Sequence, residues 1–130
     1  MAAGITPDAP HLPYPAPVDA YGSGGFRFAG MSHRGSILAL PSGIKAWDAV
    51  SPQDISLASL AAVFDEPRGT IEHLLIGTGT SLVPIARDLR ERLRDMGITV
   101  EPMATGAAAR TYSILLGEDR RVAAALLAVP

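Results

Sequence analysis

Residues 71 to 127 alternate between short apolar runs and segments with helical periodicity, and this alternation constrains the fold more than any other feature. The predicted elements are a strand over 71–76, a helix from near Pro84, a strand from Ile98, a helix over 107–116 and a strand over 121–127. The three consecutive alanines of the last segment would also suit a helix, but a strand fits its apolar run better. Strands that alternate with helices are typical of an α/β domain with parallel pairing.

The helix after Pro84 has the clearest periodic pattern. Its apolar positions fall at i, i+4, i+8 and i+11, and they are Ile85, Leu89, Leu93 and Met96. Residues at this spacing share one helix face, so we expect that face to pack on the sheet. Gly97 follows at the position where a helix commonly ends in the left-handed conformation, which glycine adopts without strain.

The first half of the chain predicts β structure. Phe26 and Phe28 flank Arg27 in an alternating run, and a second apolar run covers 36–40. Because the segment between them, 30–35, is polar and bounded by glycines, we predict an antiparallel hairpin with its turn there. A third short strand is predicted over 44–47, and 18–21 would supply another edge strand.

A short helix is predicted after these strands. Asp54 or Ser56 would cap it, and it would run through Phe64. Its apolar stripe at helical spacing consists of Leu57, Leu60, Ala61 and Phe64.

Prolines are concentrated at the beginning of the chain. Five of the eleven prolines lie in the first seventeen residues, a spacing that opposes both helix and central strand. We predict that residues 1–17 form a flexible leader that adds little stability, and that residues 18–130 form a single α/β domain with a mixed sheet. The chain shows no secretory signal and no apolar run of about 20 residues that could span a membrane, so we predict a cytoplasmic protein.

Charge and composition exclude several classes of function. Eleven Lys and Arg against thirteen Asp and Glu give a net charge of −2, which argues against a nucleic-acid-binding protein. Cysteine is absent, which excludes disulfides, thiolate metal sites and cysteine catalysis. The histidines at 11, 33 and 73 lack metal-ligand spacing. We therefore predict neither a metal nor another cofactor.

The segment 30–35, Gly-Met-Ser-His-Arg-Gly, invites comparison with the nucleophile elbow of hydrolases. Its glycine spacing differs, and its context is a hairpin rather than a strand-to-helix turn. Ser32 beside His33 is adjacency in sequence, which does not provide the geometry of a catalytic pair. We interpret the segment as a turn with an exposed basic tip, at which His33 and Arg34 are candidates for binding a ligand or partner.

The Gly77-Thr78-Gly79 turn follows a strand and precedes a helix, which is the usual place of a phosphate-binding loop. Leu82 stands where the third glycine of the dinucleotide fingerprint would be, and the chain has no P-loop motif. One interpretation is a tight turn that needs glycine, and the other is part of a binding site.

A second strand-to-helix junction begins at Thr105 and Gly106. The start of a helix exposes unpaired N–H groups, and Arg110, one turn later, could lean back toward Gly106. If the crossover is parallel, this junction and the Gly77 turn both lie at the carboxyl edge of the sheet, where open α/β sheets bind ligands. Tyr112 on the same helix is a further candidate. The alternative is an alanine-rich helix that packs closely on the sheet, with Arg110 solvated or paired locally.

Several segments together resemble domain-of-unknown-function family 498. They are Gly-Phe-Arg-Phe at 25–28, Met-Ser-His-Arg-Gly at 31–35, Pro-Ser-Gly at 41–43, Gly-Thr-Gly at 77–79, Thr-Gly-Ala-Ala-Ala-Arg-Thr-Tyr at 105–112 and Arg-Arg-Val-Ala-Ala-Ala at 120–125. The resemblance covers about residues 18–128, and the last two segments are its specific part. This chain departs from the usual pattern at Ala104, commonly Asp, and at Ala109, often Cys. The missing carboxylate at 104 weakens any acid/base role for the helix start.

The resemblance implies a three-layer fold whose central mixed five-stranded sheet lies between helices on one side and further β and α elements on the other. The family includes a mitochondrial NADH dehydrogenase (complex I) assembly factor, which is an assembly protein rather than a known enzyme. We therefore expect a non-catalytic binding or assembly module that acts through protein partners, in the assembly of a respiratory or membrane-bound complex. The alternative is a binder of a small anionic ligand, or an enzyme acting on one, at the carboxyl edge of the sheet. The sequence leaves the partner and the oligomeric state open.

Overall fold

A computed structural model describes residues 12–130, so the first eleven residues of the predicted leader, with His11, lie outside the described residues. The strands and helices, in chain order, are β1 Val18–Gly22, β2 Gly25–Phe28, β3 Met31–Arg34, β4 Ser36–Leu40, β5 Gly43–Trp47, α1 Ala61–Phe64, β6 His73–Gly77, α2 Arg87–Asp95, β7 Thr99–Met103, α3 Thr105–Gly117 and β8 Val122–Leu126. A single 3₁₀ turn, Pro52–Asp54, lies between β5 and α1.

The strands form two sheets. The larger sheet has the order β5-β4-β8-β6-β7, and the smaller one has the order β1-β2-β3. Strand β6 pairs in parallel with both β7 and β8, whereas β4 pairs antiparallel with β5 and β8. The predicted mixed five-stranded sheet and the β-α-β-α-β order of the second half are confirmed.

The larger sheet lies in the middle of three layers. Because side chains alternate along a strand, Ala123 and Ala125 of β8 face the core under α1 and α2. Ala124 and Leu126 face the opposite core, which contains α3, Phe26 and other residues of the smaller sheet. The alanines on both faces of β8 let the helices approach this central strand closely. No helix within residues 12–130 is long and apolar enough to cross a membrane.

Helix α2 shows the expected apolar face. Leu89 and Leu93 are buried, and both ends of the stripe are partly buried against the same core. The N–H of Gly97, at φ 78°, donates to the carbonyl of Arg94, and the N–H of Ile98 donates to the carbonyl of Leu93. These two bonds close the end of the helix as a Schellman motif. The helix begins at Arg87, three residues later than the predicted start.

The predicted hairpin between Phe26 and the 36–40 run is wrong. Residues 31–34 form strand β3, which pairs with β2 through a two-residue turn at Ala29 and Gly30. Both turn residues have positive φ, 50° and 75°, which is the type I′ geometry that matches strand twist. Alanine rarely adopts this conformation, so the sequence carried no clear signal for the turn.

The predicted helix from residue 54 through Phe64 forms only in its last turn. Ser56 and Ser59 exchange hydrogen bonds, each side chain accepting the other residue's N–H at 3.0–3.1 Å. Serine side chains compete with helical bonding in this way. The Trp47 indole N–H also donates to the Ser59 carbonyl at 2.8 Å, which holds that carbonyl away from helical pairing. As a result Leu60 is buried while Leu57 is exposed.

Residues 12–17, placed in the predicted leader, contact the rest of the structure. Leu12 and Ala16 are buried, and the backbone of Leu12 exchanges two hydrogen bonds of 2.9 Å with Ile44 on β5. The Tyr112 hydroxyl donates to the Ala16 carbonyl at 3.1 Å. The boundary at residue 18 stays a prediction, but the described part of the segment before it packs on the domain.

Candidate functional site

The two strand-to-helix junctions lie side by side, as a parallel crossover requires. The Thr105 N–H donates to the Gly79 carbonyl at 2.8 Å, and the Gly79 N–H donates to the Thr105 hydroxyl at 3.0 Å. That hydroxyl in turn donates to the Leu127 carbonyl at 2.8 Å, and Thr105 is completely buried. A Cβ on Gly77 would lie 2.9 Å from the Cα of Thr105, so the close approach requires glycine there.

The polar groups of the Gly77–Gly79 turn are bonded within the chain. The N–H of the buried Thr78 donates to the Met103 carbonyl at 2.8 Å, and its hydroxyl donates to the Ser81 carbonyl at 2.7 Å. The same hydroxyl accepts the N–H of Val83 at 2.9 Å. These bonds hold β6, β7 and the loop before α2 together. A binding role for this turn and for Thr105 stays a prediction.

Arg110 lies on a different face of α3 from the buried Thr105. A groove of about 670 Å³ runs between β1 and α3, and its walls include Tyr21, Gly106, Arg110, Ser113 and Ile114. The Gly77–Gly79 turn is not among the lining residues. Tyr21 and Ile114 are large side chains with exposed fractions of 47% and 54%. The β1–α3 groove, as we call it, therefore combines an aromatic, an aliphatic and a cationic side chain, and the acidic Asp19 also lines it.

Two contacts hold β1 against α3 and shape this groove. The Ser113 hydroxyl accepts the N–H of Val18 at 2.9 Å. A Cβ on Gly106 would overlap the Tyr21 hydroxyl and lie 2.6 Å from its Cζ. Glycine at 106 lets the Tyr21 ring lie over the first turn of α3, and a larger residue there would push this half-exposed ring aside, so the predicted glycine of this junction has a packing role.

The guanidinium of Arg110 has no ion-pair partner among residues 12–130. The salt bridges described there all meet at Glu72, which lies 3.8–3.9 Å from His73, Arg120 and Arg121. An exposed guanidinium without a partner offers a planar set of N–H donors that fits a carboxylate. The β1–α3 groove thus has a free cationic group at its wall.

Tyr112 is a core residue. Its side chain is fully buried and its hydroxyl donates to the Ala16 carbonyl. Burial raises the pKa of this phenol well above its ordinary value. The helical spacing of Thr105, Ala108, Ala109 and Tyr112 could have revealed this position, because i, i+3, i+4 and i+7 mark a single buried face.

His33 and Arg34 lie in strand β3 rather than at a hairpin tip. His33 is buried, and its Nε2 donates to the Ser36 carbonyl at 3.2 Å, since a carbonyl can only accept. Burial lowers the pKa of this imidazole below its ordinary value of 6.5. Arg34 is exposed on the neighbouring strand position. The expected exposed pair is therefore one buried and one exposed side chain.

His33 makes the stability of the fold depend on pH. Because its pKa is lower in the folded state, acidification below about pH 6.5 protonates the unfolded chain first and destabilises the fold, by at most about 1.4 kcal/mol per pH unit for one proton. We expect His33→Gln, which keeps an N–H donor, to have a flatter dependence of unfolding free energy between pH 7 and 5. Urea unfolding across this range tests it. Parallel pH profiles for the two proteins would contradict the assignment.

Of the residues that line the β1–α3 groove, sequence reasoning identified Gly106 and Arg110 and missed the others, among them Tyr21, Ser113 and Ile114. The predicted edge strand at 18–21 contains Tyr21, but nothing in a strand pattern shows which helix it will meet. No group of three His, Asp or Glu side chains that could hold a metal occurs within the described residues.

A family model described as "Protein of unknown function (DUF498/DUF598)" matches residues 18–127. The chain belongs to this family. The match covers almost the whole of the described structure, and it confirms the resemblance seen in the sequence motifs.

Several relatives extend this finding. An uncharacterized protein of Rhodobacter capsulatus is 37% identical over 126 residues, which cover 97% of this chain and 95% of that protein. NADH dehydrogenase (ubiquinone) 1 alpha subcomplex assembly factor 3 of Danio rerio is 36% identical over 112 residues, or 85% of this chain and 63% of the assembly factor. The human assembly factor of that name is 33% identical over 114 residues, with coverages of 87% and 61%. The chain thus spans about three-fifths of these assembly factors.

Solved structures share the fold. The crystal structure of an outer membrane protein from Bartonella henselae has a TM-score of 0.87 at 50% identity and covers 92% of this chain and 99% of that one. The NMR structure of a protein from Rhodopseudomonas palustris has a TM-score of 0.81 at 49% identity, with coverages of 100% and 94%. A Bordetella pertussis structure described as a Mth938-like domain matches at 0.71 and 33% identity, with coverages of 86% and 85%.

Proposed function

We propose that this protein is a non-catalytic assembly module that binds a partner protein through the β1–α3 groove during the assembly of a respiratory, membrane-bound complex. The observation that carries the proposal is the grouping of Tyr21, Arg110 and Ile114 around one open groove. The proposal includes the predicted cytoplasmic location. The named assembly factors among the relatives support its general class, and the partner is the part that experiment must supply.

The composition of the groove suits protein recognition. Tyrosine and arginine are enriched among the residues that dominate binding energy at protein interfaces. An exposed aromatic ring beside an exposed aliphatic side chain supplies apolar area, and the free guanidinium of Arg110 supplies direction toward an acidic residue. A charge-assisted hydrogen bond of this kind contributes about 1.5–3 kcal/mol. Loss of Arg110 should therefore weaken partner binding about tenfold or more.

The small-anion alternative has less support in the geometry. A phosphate loop needs N–H groups that point at the ligand. The N–H groups of Thr78 and Gly79 instead donate to groups within the chain. Arg110, which was expected to complete this pocket, lines the β1–α3 groove instead.

Site-specific photocrosslinking tests the proposal. A photoreactive phenylalanine analogue replaces Ile114 in the full chain, which is expressed in the organism from which the sequence comes, and crosslinked proteins are identified by mass spectrometry. We expect subunits or assembly proteins of a respiratory membrane complex. The same probe at Val50, which is 80% exposed and lies outside the groove, is the matched control.

Arg110→Glu in the Ile114 probe protein is the second arm. We expect crosslinking to fall at least tenfold while the thermal midpoint stays close to that of the parent, because Arg110 is exposed. Arg110→Lys should retain part of the signal, since lysine keeps the charge but cannot form the planar pair of bonds. Equal crosslinked sets from positions 114 and 50, or a signal unaffected by Arg110→Glu, would refute the proposed surface.

A further inference from the structure

Strands β3 and β4 act as one bent strand that passes from the smaller sheet to the larger one. Only Gly35, at φ 98°, separates them. The backbone N–H and C=O groups of the odd-numbered residues point to one edge of this strand, where β3 pairs with β2 and β4 pairs with β8. The Gly35 N–H continues this series by donating to the Gly24 carbonyl at 2.7 Å. The even-numbered side of the same strand faces the other way.

The opposite edge, to which the backbone groups of the even-numbered residues point, is paired only along β4. In the β4–β5 hairpin, Ser36, Leu38 and Leu40 lie opposite Trp47, Lys45 and Gly43. Antiparallel pairs alternate between bonded and unbonded, and the Leu40–Gly43 pair that closes the two-residue turn is bonded. The backbone groups of these even positions therefore point at β5. Strand β5 ends at Trp47, level with Ser36.

Beyond that point the outer edge of β3 has no strand beside it. The same alternation turns the N–H and C=O groups of Ser32 and Arg34 outward, away from β2. In the smaller sheet β3 is an edge strand, and among the described residues these four groups have no hydrogen-bond partner. We call the open space beside Ser32 and Arg34 the gap; a longer β5 would have filled it.

Cationic side chains surround this gap. A cavity of about 510 Å³ is lined by Arg34, Gly35, Lys45, Trp47 and Asp48, among other residues. Arg34 also lines an adjoining cavity of about 540 Å³, together with Arg27. Three cations against one carboxylate give the gap a positive surplus. None of the three cations forms a salt bridge with another described residue.

We propose that the outer edge of β3 is a docking site for an extended acidic segment of a partner protein, which adds as a short strand beyond the end of β5. Alternating donors and acceptors on Ser32 and Arg34 match a peptide backbone, whereas a small anion would satisfy only the donors. Carboxylates of the segment would meet Arg34 and Lys45. Tyr21 lines both the β1–α3 groove and the adjoining cavity. The backbone groups of Ser32 and Arg34 lie outside that groove, so the strand-addition site and the groove are tested independently.

A second copy of this chain is a poorer occupant. Two β3 edges placed together would bring the Arg34 side chains of the two copies close to each other. Like charges directly opposite each other on paired strands are destabilising. An acidic segment from a different protein avoids this repulsion and neutralises the cations instead.

The probe is a capped seven-residue peptide in which glutamate and valine alternate, titrated into the ¹⁵N-labelled full chain. We expect saturable shifts of the amide signals of Ser32, Arg34 and their neighbours, together with slower hydrogen exchange at the Ser32 and Arg34 amides. The same peptide methylated on alternate backbone nitrogens cannot complete the ladder and should bind at least tenfold more weakly. A lysine–valine peptide should not bind.

Charge-reversal variants complete the test. Arg34→Glu and Lys45→Glu should each weaken binding of the glutamate peptide at least tenfold. Arg87→Glu is the matched control, since Arg87 is exposed at the start of α2, where an acidic residue is well tolerated. Equal affinity for the methylated peptide would show that only charge is recognised, which overturns the strand addition. Binding that requires removal of residues 1–11 would assign the edge to this chain's own N-terminal segment, and dimerisation through β3 would assign it to a second copy.

Discussion

Leu93→Ala should lower the free energy of unfolding by about 2–5 kcal/mol, through lost burial and the cavity that it leaves. Leu93 is completely buried between α2 and the larger sheet, in the core that also contains Leu74 and Ile98. Its carbonyl additionally accepts the N–H of Ile98 at the end of the helix, and that bond survives the substitution. The change therefore reports on side-chain packing alone. Urea unfolding followed by circular dichroism measures it.

Arg92→Ala, one residue away, is the control. Arg92 is exposed and forms none of the described ion pairs or hydrogen bonds, so its loss should cost less than about 1 kcal/mol. Arg90 is less suitable, because it is half-buried and its Nη1 donates to the Val100 carbonyl at 3.1 Å. Similar losses for Leu93→Ala and Arg92→Ala would mean that the buried face of α2 is assigned wrongly.

The second half of the fold could be predicted because local and global preferences agree there. The stripe containing Leu89 and Leu93 keeps helical spacing from residue 85 to residue 96, and Gly97 ends the helix in the conformation that glycine favours. The apolar runs of β6 and β8 lie in the interior of the larger sheet, where both faces of a strand are buried. Each segment therefore carried its own signal.

The first half was harder because its pairing depends on single residues in unusual conformations. The β2–β3 turn uses Ala29 at positive φ, where asparagine or glycine would have been recognised. Without a recognisable turn, the polar strand β3 resembles a loop, so the sequence pattern pairs β2 with the 36–40 run instead. The same error places His33 in an exposed turn. Its burial follows from the packing of the smaller sheet, which the periodicity does not reveal.

The sequence predicts that the two strand-to-helix junctions meet, but it does not predict where Arg110 lies. The meeting of Gly79 with Thr105 follows from the order of strands and the parallel crossover, both of which the sequence indicates. The position of Arg110 depends on Tyr21, more than eighty residues earlier, which lies over Gly106. Contacts between elements so distant in the chain produce no periodic pattern in the sequence. The sequence therefore groups Arg110 with the Gly77–Gly79 turn, whereas the structure places it beside Tyr21 in the β1–α3 groove.

Thr105→Val should also destabilise the fold, by about 2–4 kcal/mol. The Thr105 hydroxyl accepts the Gly79 N–H and donates to the Leu127 carbonyl, at the junction of α3, β6 and the end of β8. Valine has almost the same shape, so it leaves the buried Leu127 carbonyl without a hydrogen bond, at a cost of about 1–3 kcal/mol, and adds a smaller cost at the half-buried Gly79 N–H. Thr105→Ser keeps the hydroxyl and removes one methyl group, for which we expect about 1 kcal/mol. Urea unfolding of the three proteins gives the comparison.

The same variants separate a structural role of Thr105 from a binding role. If Thr105 only joins α3 to the sheet, the folded fraction of Thr105→Val keeps the β1–α3 groove, because Tyr21, Arg110 and Ile114 do not contact its hydroxyl. Crosslinking from position 114, measured well below the unfolding temperature and normalised to folded protein, should then equal that of the parent. Thr105→Val with parental stability but lost crosslinking would reverse this assignment and return the carboxyl edge of the sheet to the binding site. The physical basis for expecting the first result is that the hydroxyl has one donor bond and one acceptor bond already made, both at ordinary hydrogen-bond length, which leaves it no free proton for a ligand.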